Sequence, residues 1–279
     1  MNSISLASLN VCGLPSTLPP MRRRAVEFCG RIEESDLDVV AFQEVWTGRL
    51  LTILRRLLPS YGFVAYRRGA LGQPAGGLVT FSRLPLGTVS YRSFRGARSR
   101  AGGAMFRASR AVNSLLQGVL TVEVAGRATV LGNVHLTANR DGDWSPGNRH
   151  YGLHEAQLAM LHEALRRARD RSGAGLAILS GDFNVASRSP LYPLVVDGGA
   201  WRDPFAATDP PTYHVEFLPP GGSAQRIDYL LVSGDAERYP VTRTALLFAE
   251  PVTLPGGRRT FPSDHVALTA RIALPPPVS

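Results

Sequence analysis

At 279 residues and 44% hydrophobic content, the chain has the composition of a folded globule, which excludes wholesale disorder. Its formal charge of +9, from 31 basic against 22 acidic residues, favours phosphate-bearing partners: nucleic acid, phospholipid surfaces or phosphorylated small molecules. Two cysteines, Cys12 and Cys29, are too few for a disulfide framework, and no run approaches the ~18 apolar residues of a membrane span.

Every basic residue is arginine, a usage that genomic base composition alone can produce. Met1–Leu6 has no basic segment leading into a long apolar stretch, so the expected location is cytoplasmic, or secreted if a leader was removed. Residues 3–11 read as a first strand closed by Gly13 and Pro15. From Met21, the spacing of Ala25, Val26, Cys29 and Ile32 predicts an amphipathic helix. Asp36–Glu44 reads as a buried strand, and Leu50–Leu58 as a helix stopped by Pro59. Leu78–Phe81, Gly118–Val124 and Ala128–Leu136 are strand-like, the last two joined by a hairpin turn at Gly126-Arg127. Glu155–Arg169 reads as a helix, and Leu176–Leu179, Ile227–Val232, Thr242–Phe248 and Ala267–Leu274 as strands. Arg92–Arg110, with six arginines and no acid, reads as irregular, and Asp203–Gly222 as a Pro-rich surface loop. A frayed tail is expected at 275–279. Strands outnumber crossover helices, which predicts two packed sheets with helices outside, and the scatter of polar strand-end residues over both halves of the chain predicts one domain over 1–279.

Polar residues punctuate these strands. Glu44 follows Val39-Val40-Ala41-Phe42-Gln43, where a buried carboxylate needs a cation or donors, and Asn10 is a neutral oxygen donor after Leu6–Leu9. In Gly181-Asp182-Phe183-Asn184 a carboxylate can position or deprotonate water while an amide donates to a phosphate oxygen; the structural alternative is an Asx turn. His265 enters a strand beside Asp264. Adjacent strand residues face opposite ways, so Asp228, from a neighbouring strand, is the better partner for the imidazole. His135 closes Val130–Val134 and is the second histidine expected in the site. His150 and His154 are spaced i, i+4, but no His-Glu-x-x-His pattern is present, so both read as surface residues.

Taken in order, Leu9-Asn10-Val11-Cys12-Gly13-Leu14-Pro15, Gln43-Glu44-Val45-Trp46, Phe81-Ser82-Arg83-Leu84-Pro85, His135-Leu136-Thr137-Ala138, Gly181-Asp182-Phe183-Asn184, Arg226-Ile227-Asp228-Tyr229 and Ser263-Asp264-His265 resemble the endonuclease/exonuclease/phosphatase superfamily. The likeness is closest to the neutral sphingomyelinase branch; abasic-site nucleases of the superfamily usually show Tyr where His135 stands. Gln117 and Asn139 depart from it, standing where relatives often have Lys and an acid.

The resemblance implies an α/β fold, a four-layer sandwich of two packed, mainly antiparallel sheets flanked by helices. It implies Mg²⁺-dependent phosphodiester hydrolysis, with Mn²⁺ as an alternative cation. By similarity, Glu44 with Asn10 would hold the metal, aided through water by Asp264. Asp182 and Asn184 would position the attacking water and a phosphate oxygen, and Asp228 with His265 would serve as base or transition-state clamp. His135 would donate to a phosphate oxygen or the leaving group, and either Asp182 or His265 would take the water's proton. A phospholipid is the favoured substrate, and nucleic acid or a phosphorylated metabolite the alternative; the Arg92–Arg110 segment reads either as a solvated loop or as a segment resting on an anionic membrane. A silent binding module is disfavoured, because all these residues are present.

Overall fold

The structure is a computed structural model describing residues 2–14, 16–99 and 101–276, without the side chains of Val112 and Leu115. Pro15, expected to close the first strand, and residues 277–279 of the expected frayed tail lie outside the described residues. The first strand, β1 (Ser3–Asn10), is buried along almost its whole length, with Ile4 and Leu6 facing one way and Ala7 and Leu9 the other. That two-sided burial is what a strand inside a layered fold requires. Helix α1 (Met21–Glu33) returns the chain, burying Ala25, Phe28, Cys29 and Ile32 as one stripe, and β2 (Val39–Gln43) then pairs parallel to β1 with Asn10 opposite Gln43. Helix α2 (Gly48–Leu57) begins at Thr47, whose hydroxyl accepts from Leu50 N at 3.1 Å.

The remaining elements are β3 (Phe63–Ala65), β4 (Val79–Ser82), β5 (Leu86–Ser93), α3 (Ala104–Leu116), β6 (Gly118–Val124), β7 (Thr129–His135), α4 (Tyr151–Ser172), β8 (Leu176–Asp182), α5 (Tyr192–Val195), β9 (Asp228–Ser233), β10 (Val241–Leu247), the short pair β11 (Val252–Thr253) and β12 (Arg259–Thr260), and β13 (Ala267–Ala273). Six strands in the order β10-β13-β1-β2-β4-β3 form one sheet and five in the order β5-β6-β7-β8-β9 form the other. Among the described residues, only β1–β2 and β7–β8 pair in parallel within these two sheets. Three apolar cores fix four layers. Ile4, Leu6, Leu131, Ile178, Leu230 and Leu268 fill the space between the sheets. Phe28, Phe42 and Leu54 pack α1 and α2 on the first sheet, while Leu153, Leu158, Leu161 and Leu165 pack α4 on the second. The expected architecture is therefore the observed one.

Several local readings differ. The second strand starts at Val39 rather than Asp36, and β3 and β5 carried no expectation. The Arg92–Arg110 segment is not irregular throughout: it contains the end of β5 and the start of α3. That helix lacks a side-chain N-cap, which hid it, and Phe106 holds it by an edge-on contact with His150 at 4.9 Å. Helix α4 begins four residues before the expected Glu155 and takes in His154. His150 and His154 are 3% and 0% exposed, correcting their reading as surface residues. The 203–222 stretch is mainly turns, yet it buries Thr212 and His214.

Candidate active site

Along each central strand the face turned toward the opposite sheet changes from apolar to polar at one end. In β1 it runs Ile4, Leu6, Ser8, Asn10; in β7, Leu131, Asn133, His135; in β8, Ile178, Ser180, Asp182; and β9 opens at Asp228 before Leu230 and Val232. Register brings these ends together, since His135 is opposite Asp182 and Asp182 opposite Asp228. Just beneath them the two sheets are joined by buried amides: Gln43 Nε2 donates to Asn133 Oδ1 at 2.8 Å, and Asn133 Nδ2 donates to Phe42 O and Val79 O at 3.0 and 3.1 Å.

Asp182 lies at the centre. Its Oδ2 accepts from Asn10 Nδ2 at 3.0 Å and lies 3.5 Å from His135 Nε2 and 3.7 Å from His265 Nε2. The far nitrogen of His265, Nδ1, is 2.8 Å from Asp228 Oδ2. The imidazole is thus held between two carboxylates, and Asp228, not the adjacent Asp264, is its orienting partner. Tyr213 stacks edge-on against the same ring at 4.9 Å. Burial alone would keep His265 neutral, but Asp228 and Asp182 outweigh it and raise the imidazole well above its ordinary range. Burial pushes Asp182 up to about 6, with His265 opposing and Asp228 adding to the shift.

Glu44 leaves β2 in the left-handed region, φ 65°. Its Oε1 accepts from Asn10 Nδ2 at 3.3 Å and its Oε2 from Gly13 N at 3.0 Å. Gly13 is required here, because a Cβ would stand 1.7 Å from Glu44 O. Asn10 bridges Glu44 and Asp182 through its NH₂ group, while its Oδ1 accepts from Cys12 N at 3.0 Å. Asn10 therefore supports both carboxylates in this structure rather than turning its oxygen outward. Asp264 stands on the cleft wall with its carboxylate near Ser263 Oγ and Tyr213 Oη, at 3.3 and 3.4 Å.

Asn184 does not continue the strand. It sits at φ 52°, its backbone N donating to Asp182 Oδ1 at 2.9 Å as an Asx turn, and its Nδ2 donates to Leu136 O at 3.1 Å. Of the two readings of this motif, the Asx turn is the one that forms, and both Asp182 and Asn184 still line the same cleft. This cleft, about 790 Å³, is also lined by Glu44, His135, Asp264 and His265. Asp228 lies behind His265, outside that lining.

Among the described residues, Asp182, Asp228 and His265 bring three potential ligand atoms within 4.8 Å of one another. Both nitrogens of His265 already face carboxylates, which suits an imidazolium better than a neutral metal ligand. Glu44 and Asp264 bring hard carboxylate oxygens to the cleft, each oxygen with one neutral donor at 3.0–3.4 Å and a second lone pair to offer, the chemistry that suits Mg²⁺.

Sequence reasoning missed three supporting residues. Arg24, 2% exposed, donates only to main-chain oxygens, those of Val11, Cys12, Pro19 and Pro262, at 2.8–2.9 Å, so it clasps the turn after Asn10 to the one before Ser263. Its place on the buried face of an otherwise Arg-rich wet helix is a signal only once Phe28 and Ile32 define that face. Tyr213 and Trp144 reach the site from irregular segments where no periodicity marks them. Arg226, part of a quoted motif, is buried between Asp203 and Asp209, each at 2.7 Å, and fixes the approach to Asp228.

A site of this make-up at one end of a four-layer sandwich defines a class: hydrolases of phosphoric esters. Residues 7–265 match the model of the Endonuclease/Exonuclease/phosphatase family, and the chain belongs to that family. Similar solved structures include D. rerio TDP2 complexed with single strand DNA product, at TM-score 0.70 and 17% identity, with 97% of this chain and 98% of that one covered. Sphingomyelinase C from Streptomyces griseocarneus gives 0.69 and 18%, with 98% and 100% covered, and an endonuclease/exonuclease/phosphatase family protein from Bacteroides thetaiotaomicron gives 0.68 and 18%, with 98% of each. No curated protein matches in sequence. Among the described residues no helix is long and apolar enough to cross a membrane.

Proposed function

We propose that the chain is a Mg²⁺-dependent phosphodiesterase, the observation that carries this being Asp182 facing His265, His135 and Asn10 inside a cleft shared with Glu44. Glu44 and Asp264 would hold the cation, with Asn10 keeping Glu44 in place; bound there, the cation supplies Lewis-acid charge at the phosphorus centre. Asp182 Oδ2 and His265 Nε2, 3.7 Å apart, can both reach one water or phosphate oxygen seated beside them on the cleft side. Asp182 orients the water and takes its proton as the new P–O bond forms and the ester P–O bond breaks. His265, fixed by Asp228, stabilises charge on the phosphate, and Asn184 directs its free amide hydrogen there. His135 donates to the departing oxygen.

Two substrate readings divide on the cleft walls. Phe217, Leu218 and Pro219 make one wall apolar, and α3 carries Met105, 86% exposed, beside its arginines; both support a phospholipid such as sphingomyelin, approached through the 92–110 segment. Arg140, which also lines the cleft, supports a nucleic-acid strand. The test is hydrolysis of bis(4-nitrophenyl) phosphate with Mg²⁺ and with EDTA, then of sphingomyelin liposomes and plasmid side by side. Glu44→Gln and His265→Ala should each lose roughly 10²-fold or more in kcat. Activity unchanged in both variants would refute the assignment, and nicked plasmid with intact liposomes would refute the lipid reading.

A further inference from the structure

Trp144 is the one large aromatic on the Asn139–Trp144 wall of the cleft, and its mounting is unusual for a loop residue. The loop is tied on both sides of it. Asn139 Nδ2 donates to Asp143 O at 2.8 Å, and Asp143 Oδ1 accepts from Ser145 N at 2.8 Å. Arg149 grips Asp141 with two bonds of 2.8 and 2.6 Å. One flank of the half-buried indole packs on the core outside the second sheet, and the residue also lines the cleft that holds His135, Asp182 and His265. Its Nε1–H donates to Asn184 O at 2.9 Å. Asn184 sits in the left-handed region at φ 52°, which costs a non-glycine residue energy unless neighbours over-determine it. Asp182 Oδ1 and Leu136 O hold its backbone N and side chain; the indole holds its carbonyl.

We propose that Trp144 is a positioning and specificity residue: its indole N–H locks Asn184 in the geometry that aims the amide at the phosphate, and its ring carries a planar apolar group esterified to that phosphate. The inference rests on the phosphodiesterase reading for its chemistry, and two substitutions separate its parts. Trp144→Phe keeps a ring and removes the N–H; Trp144→Ala removes both.

Two diesters with the same nitrophenolate leaving group, bis(4-nitrophenyl) phosphate and methyl 4-nitrophenyl phosphate, differ only in the group retained. Trp144→Phe should lower kcat on both by a similar factor, about 2- to 10-fold for one lost hydrogen bond, and keep the aryl preference. Trp144→Ala should in addition lower kcat/KM about 3- to 10-fold more for the aryl diester than for the methyl one. Wild-type kcat in Trp144→Phe would overturn the positioning role, and equal losses on both esters in Trp144→Ala would overturn the specificity role. A binding measurement needs no turnover: by calorimetry, phenyl phosphate should bind wild type about 3- to 10-fold tighter than inorganic phosphate, and Trp144→Ala should erase that preference. If no diester is hydrolysed but this preference follows Trp144, the phosphodiesterase reading fails and the aryl subsite stands; if wild type shows no preference, the subsite is refuted.

Discussion

Replacing His154 by Gln should flatten the acid side of the protein's stability profile. His154 is fully buried on α4, and its Nε2–H donates to Thr137 O at 2.8 Å, two residues beyond His135. Thr137 and Gln157 surround it, and His150 stacks on it at 6.1 Å, itself acted on by Asp141, Arg110 and Arg149. Burial, aided by the charge of His150 and opposed by the Thr137 carbonyl, lowers the imidazole from 6.5 to about 4. The folded state therefore refuses a proton that the unfolded chain accepts. Above pH 6.5 both states are neutral and nothing is lost; as pH falls from 6.5 toward 4 only the unfolded chain gains the proton, so stability declines. At about 1.4 kcal/mol per pKa unit the full loss is roughly 3 kcal/mol, of which roughly 2 kcal/mol has gone by pH 5. Urea unfolding of wild type and His154→Gln at pH 7.5 and pH 5 measures it, because Gln can still donate to Thr137 O but has no proton to gain. His150, His162 and His214 are lowered as well and persist in both proteins, so the difference between the two slopes isolates His154. Parallel pH profiles would refute the reasoning.

Asp228→Asn should reduce kcat on bis(4-nitrophenyl) phosphate by roughly 10²-fold or more with little change in KM, because Asp228 holds His265 from behind and does not line the cleft; a rise in KM alone would contradict this. Gly181→Ala should destabilise the fold by at least about 1–3 kcal/mol in a thermal melt, since at φ 144° an added Cβ would lie 2.0 Å from Val134 O. Arg24→Met strands four buried carbonyl contacts and should cost at least about 1–3 kcal/mol in urea unfolding, with Arg24→Lys recovering part of it; equal stability of both variants to wild type would remove Arg24 from the clasp between the two site turns.

Alternation along the strands made much of this arrangement legible. A period of two puts Ser8 and Asn10, Asn133 and His135, Ser180 and Asp182 on one face each, and the apolar residues before them say which face is buried. The pairing of Asp228 with His265 is not set by alternation, because Asp264 and His265 precede β13 and both line the cleft; it comes from β9, whose first residue Asp228 stands behind the imidazole. What escaped depends on contacts between residues distant in sequence. Helix α3 owes its place to Phe106 between Arg110 and Arg149, with ring distances of 5.6 and 4.6 Å, and no local cap announces it. His150 and His154 read as a wet i, i+4 pair because the carbonyl that satisfies His154 belongs to Thr137, in the loop after β7. Asn184 leaves the strand through an Asx turn, a choice its sequence offered but did not decide.

The order of polar groups from the middle of the sandwich to its end explains how so much charge is tolerated there. The first layer beyond the apolar core is neutral: Gln43 and Asn133 join the sheets and satisfy main-chain oxygens of β2 and β4. The second layer is ionic, with Asp182, Asp228 and His265 at 2%, 3% and 4% exposed. Three buried ionisable groups would be costly singly, but an imidazolium between two carboxylates leaves the set with one net negative charge, facing a cleft open to water. The amide layer fixes the distance between the sheets, and that distance sets whether β8 and β9 can present their carboxylates to the histidine preceding β13. Hydrolytic geometry in this fold is thus a consequence of sheet spacing as much as of the residues that touch substrate.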